Sequence, residues 1–118
     1  MKKLLIFSAI AGCLSFYEAK AQTVNGVRLS DLKSPYIEIK EFRPLLNDKV
    51  FISLEYGQKI TDERTNALIK DGNGKNLEFN SIVDCLNKLR GYGYELFHAY
   101  SRSKEATNAD KIYVLKKQ

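Results

Sequence analysis

Few side chains in this 118-residue sequence have the type and spacing that chemistry demands. The lone histidine, His98, is the one group whose ordinary pKa suits a base near neutral pH. Nucleophilic catalysis needs such a base beside Ser, Thr or Cys, and its alternate neighbours are Tyr100 and Arg102. Two cysteines occur, Cys13 and Cys85. A His98–Cys85 pairing would supply two metal ligands where a closed site needs four. Glu38, Glu55 and Glu95 lie on separate segments, and no spacing gathers two of them into the cleft that glycoside hydrolysis requires. Asp71-Gly72-Asn73-Gly74 opens like a calcium loop. Its fifth position is Lys75 and its twelfth is Ile82, where the loop requires a bidentate glutamate. Gly72-Asn73-Gly74 also precedes a strand-like segment and not the helix that a phosphate cradle needs. The sequence therefore predicts no catalytic, cofactor-binding or metal residues and no cofactor, and directs attention to recognition.

Composition limits the kind of partner. The hydrophobic fraction of 44% and charged fraction of 28% are those of one globular domain. Formal charge is +5. Without residues 1–21, which hold Lys2, Lys3 and Lys20 against Glu18, it is 16 basic against 13 acidic. Acidic and basic residues alternate through the chain, whereas a nucleic-acid surface clusters Lys and Arg, so no nucleic-acid partner is expected.

The first 21 residues read as a cleaved secretory signal. Lys2-Lys3 form a positive start, Leu4 to Phe16 is apolar, and Ala19-Lys20-Ala21 has the small-x-small pattern of a cleavage site. The apolar run is shorter than the roughly 20 residues a membrane span needs, so no transmembrane segment is expected after signal removal. A second processing route is open: Ile10-Ala11-Gly12-Cys13 resembles a lipobox, which would anchor the chain through a lipidated Cys13. Either route implies export to the periplasm or exterior. In the unlipidated form only Cys85 remains, so no internal disulfide forms.

The elements that position these residues follow from periodicity. Residues 22–34 show no sustained pattern and read as a flexible arm, leaving 35–118 as the domain. Tyr36 to Phe42 alternates apolar and charged residues, the mark of a half-buried strand. Val50 to Gln58 alternates again, with Val50, Ile52, Leu54 and Tyr56 on one face. Gln58 to Thr65 is open between helix and loop. Asp71-Gly72-Asn73-Gly74 makes a turn inside a minor hairpin. Ser81 and Asp84 form a capping pair for a helix whose stripe is Ile82, Val83, Leu86 and Leu89, ending at Gly91, with Cys85 a small buried or half-buried side chain. Leu96 to Arg102 and Lys111 to Lys117 are two further strands, separated by a polar loop.

This order predicts an α+β fold: an antiparallel sheet of four main strands in ββαββ order, plus the minor hairpin, with one helix on one face. Phe97 would join Ile37, Ile39, Val50, Ile52 and Leu54 in the core. Strict alternation then turns Tyr94, Leu96, His98 and Tyr100 to the open face, where Tyr36 and Phe51 join them. Such an aromatic face suits an interface with a protein, peptide or glycan, or with a second copy.

Phe79-Asn80-Ser81 at the helix start, Leu86-Asn87, Gly93-Tyr94-Glu95-Leu96 and the ending Tyr113-Val114-Leu115-Lys116-Lys117 resemble a family of small secreted bacterial proteins of unknown function. Its Gly-Trp-Glu-Leu-like motif has Tyr94 in place of the usual Trp. The resemblance covers residues 71–117 and implies a small α+β sheet domain with no catalytic residues. The sequence thus favours a non-catalytic binding or protein-interaction module. The alternatives are a small hydrolase or enzyme inhibitor using a cleft near His98, and a lipid-anchored subunit of an envelope complex.

Overall fold

A computed structural model describes residues 21–44, 48–105 and 108–118, with side chains described outside 103–109. Expectations that fall on residues 1–20, Cys13 among them, lie outside the described residues. The chain is α+β, with antiparallel sheets and little helix. It departs from the expected single sheet by having two. The main sheet contains β3 (Tyr36–Phe42), β4 (Phe51–Glu55), β6 (Tyr94–Glu105) and β7 (Asn108–Lys117), in the spatial order β4-β3-β7-β6. A small sheet, ordered β2-β1-β5, holds β1 (Thr23–Val24), β2 (Val27–Arg28) and β5 (Ile69–Lys70). Helix α1 (Glu63–Asn66) falls in the segment left open by the sequence, and α2 (Ile82–Arg90) is the expected helix.

The segment read as a flexible arm is instead folded. Asn25 and Gly26 both have positive φ, 52° and 76°. That pair of conformations makes the tight hairpin turn favoured by Asn-Gly, and it sets Val24 opposite Val27. A 3-10 turn, Leu29–Asp31, follows. Val24, Leu29 and Leu32 are buried in the same cluster as Ile37, Ile39, Val50, Ile52, Leu54, Cys85, Leu89 and Leu115. Each such side chain contributes about 1.5–3 kcal/mol relative to exposure. The arm therefore packs into the core on the helix-bearing face of the main sheet.

Helix α2 starts as its sequence dictates. Ser81 Oγ accepts from Asp84 N at 3.1 Å, and Asp84 Oδ2 accepts from Asn80 N at 3.0 Å. Its inward stripe differs by one position from the expected one. Cys85 and Leu89 are buried with Ile82 and Leu86 beside them, whereas Val83 points to water. The expected minor hairpin is present in short form: Lys70 bridges Asn76 antiparallel, Leu77 N donates to Ile69 O at 2.9 Å, and in its turn Asp71 Oδ1 accepts from the amides of Asn73 and Lys75 at 2.8 and 3.0 Å.

Candidate functional site

Register decides what the reverse face displays. Directly opposed residues of an antiparallel pair point to the same side. The outward residues of β3 are Tyr36, Glu38, Lys40 and Phe42, because Ile37 and Ile39 are buried. Glu38 opposes Glu55 on one flank and Val114 on the other. On β6, Leu96 opposes Leu115 and His98 opposes Val114, so Phe97 and His98 share one partner position. This β-bulge places two successive side chains on the same face and shifts the alternation by one.

The bulge corrects the sequence reading at three positions. Tyr94, expected on the open face, is 1% exposed and lies in the core. Its hydroxyl donates to Ser34 O at 2.8 Å, its ring carries the Lys117 Nζ at 4.9 Å, and burial raises its phenol above the ordinary pKa. Leu96 points to the helix side, though the edge position of β6 leaves it half-exposed. Phe97, expected in the core, stands on the open face and is 61% exposed. Phe51 shares that face but sits at its other end, opposite Phe42, whose ring lies 5.5 Å from the Arg64 guanidinium.

Four aromatic side chains therefore gather at one end of the outer face. Tyr36, 49% exposed, meets Phe97 edge to face, with centroids 5.8 Å apart and planes at 64°. His98 stacks on Tyr100 at 6.2 Å and 19°. The Tyr100 hydroxyl donates to Glu38 Oε1 at 3.0 Å and receives Arg102 Nη2 at 3.1 Å. Burial and the Glu38 carboxylate push the Tyr100 phenol up. Ile112, opposite Tyr100, is buried beneath this chain of contacts. Further along the same face, α1 reaches the end of β3, with Lys40 Nζ 3.4 Å from Glu63 Oε1 and the Phe42 ring under Arg64, and Ser53, opposite Lys40, is buried. The Tyr36–Phe97 end faces water.

Two concavities flank the patch. A groove of about 360 Å³ borders Tyr36, Glu38, Glu55, Tyr56, Gly57 and Val114. A wider cleft of about 510 Å³ opens where β3 and β7 part company beyond the Ile39–Tyr113 pairing. It is lined by Lys40, Glu41, Arg43, Asp110, Lys111 and Tyr113. Its charges largely neutralise one another, with Arg43 on Glu41 at 3.1 Å and Lys40 near Asp110 at 3.9 Å.

Among the described residues, no nucleophile or carboxylate is hydrogen-bonded to His98. The imidazole is exposed and makes no hydrogen bond among the described residues. Cys85 is buried, and desolvation, helped by the Asp84 charge, pushes its thiol up to about 12. A thiol so raised is protonated at neutral pH and is no nucleophile. No group of three or more metal-ligating side chains occurs among the described residues. Among them, no helix is long and apolar enough to cross a membrane. Comparison with protein-family models, curated proteins and solved structures finds no match.

Proposed function

We propose that this chain is an exported, non-catalytic protein-interaction module that docks its partner on Tyr36, Phe97, His98 and Tyr100. The observation that carries this reading is the exposed Tyr36–Phe97 pair, created by the bulge at Phe97 and His98. A bulge re-aims side chains, and this one turns a phenyl ring out of a core that it would otherwise stabilise. Aromatic residues are enriched in interface cores because each removes much apolar area from water at little cost in side-chain entropy. The bulge also interrupts the β6 edge as a template for strand pairing, which favours contact through the face over contact through the edge.

Export rests on the leader of residues 1–21, and the soluble form is preferred to an anchor at Cys13. The frame is a ββαββ main sheet with its helix on the far side. Kinship with the small secreted bacterial family of the Gly-Trp-Glu-Leu-like motif belongs to the same reading, and assigns no residue a catalytic role.

Site-directed photo-crosslinking tests the proposal. Benzoylphenylalanine at position 97 is compared with the same group at Asn87, an exposed position on α2, in extract of the cells that make the protein. The expected result is a discrete protein adduct at 97 and none at 87, suppressed by excess wild-type chain but not by a Tyr36→Ser/Phe97→Ser variant. Equal labelling at both positions, no adduct, or competition by the double variant would overturn it.

A further inference from the structure

We propose that the groove beside Tyr36 receives a lysine or arginine side chain, carried by an extended basic segment of the partner protein. This inference rests on the docking face just described and names the chemistry that the face selects. Glu38 and Glu55 are direct cross-strand partners and both point outward. Opposed side chains in a sheet have Cβ atoms about 4.5–5.5 Å apart, where like charges repel. Among the described residues neither carboxylate has a cationic partner within 4.0 Å. Glu38 takes a hydrogen bond from the neutral Tyr100 hydroxyl, and Glu55 makes no side-chain hydrogen bond among the described residues.

Of the residues that line the two hollows beside these acids, the cations lie on one side and are engaged, while Lys116 stands opposite Tyr36 outside the groove lining. A small recess next to the two acids is bordered by Lys40 and Arg102. Lys40 is held by Glu63 and Asp110, and Arg102 by the Tyr100 hydroxyl and ring. On the other side the same two acids border the open groove with Tyr36, Val114 and Gly57. An incoming ammonium or guanidinium would relieve the Glu38–Glu55 repulsion from that side. Its methylene stem would lie along Val114, and a guanidinium suits the face of a Tyr36 ring. Tyr36 belongs to both the groove and the Phe97 contact. A single segment can therefore set an apolar residue on Phe97 and its basic residue in the groove.

The test uses the full chain, ¹⁵N-labelled, and three blocked nonapeptides that are identical except at one position. Each carries one Phe and, two residues on, an Arg, a Gln or a Glu. The Arg peptide is expected to shift the amides of Tyr36, Glu38, Glu55 and Gly57, and to bind about five-fold tighter than the Gln peptide, the scale of an exposed charge pair. The Glu peptide should be weakest, and 0.5 M salt should shrink the spread. Glu55→Gln should erase the preference while raising the thermal midpoint slightly, since it removes the repulsion with Glu38 and breaks no ion pair. Equal binding of the Arg and Gln peptides, no binding at millimolar peptide, or a preference that survives Glu55→Gln overturns the inference. If the position-97 adduct forms with its expected competition pattern while the wild-type chain binds the Arg and Gln peptides alike, the groove inference alone fails. If that adduct loses its competition pattern, the docking face fails with it.

Discussion

Replacing Tyr94 and Phe97 separately by alanine tests the bulge, because alternation and structure assign opposite costs to the two. Tyr94 is almost wholly buried. Truncating a large buried aromatic costs about 3–5 kcal/mol, and loss of the hydrogen bond to Ser34 O adds about 1 kcal/mol. Phe97 keeps 61% of its surface in water. Roughly two-fifths of a full burial term of about 1.5–3 kcal/mol gives about 0.6–1.2 kcal/mol for Phe97→Ala. In a domain of this size, each kcal/mol moves the melting temperature by about 4–8 °C. Tyr94→Ala should therefore lower it by about 16 °C or more, or leave the chain unfolded, and Phe97→Ala by less than about 10 °C. Urea unfolding should rank them in the same order with similar slopes. Equal losses, or a larger loss for Phe97→Ala, would refute the register shift and return Phe97 to the core.

Two further outcomes follow from single residues. The Cys85 thiol is raised from 9.0 to about 12 in the folded chain. Below pH 9 the stability from keeping it protonated is fully present, and it is lost between pH 9 and 12 as the unfolded chain ionises first. Urea unfolding at pH 8 and pH 10.5 should show a fall of about 2 kcal/mol that Cys85→Ala removes; an unchanged slope against pH in that variant would contradict the burial argument. Gly57 has φ +109°, and a Cβ there meets nothing within 4 Å. Gly57→Ala should cost about 1–2 kcal/mol from backbone strain alone, measured by the same unfolding assay, and a neutral result would show that the turn relaxes.

Much of the fold was legible because its signals are local. The period of two in residues 36–42 and 50–56 and the Ser81/Asp84 capping pair located two strands and a helix that the structure contains. The arm was misread because its strands are two residues long, too short for periodicity to register. Asn25-Gly26 is a strong turn signal, however, and Val24, Val27, Leu29 and Leu32 gave it apolar residues to bury. The outer face was half legible. Tyr36, His98 and Tyr100 lie where alternation puts them, but a β-bulge leaves a period-two pattern intact on either side while exchanging the faces. The available clue was Leu96-Phe97, two adjacent apolar residues that cannot both point inward on a regular strand. The Glu38–Glu55 pairing was illegible for a different reason. It depends on register between strands, which neither residue encodes by itself.

The central claim, that a partner covers the outer face beside Phe97, is tested most directly at His98, the only histidine in the chain. Its carbethoxylation by diethyl pyrocarbonate can be followed in the purified chain and in the complex isolated through the position-97 crosslink. The account predicts rapid modification of the free chain and strong protection in the complex. Equal rates in the two would contradict it.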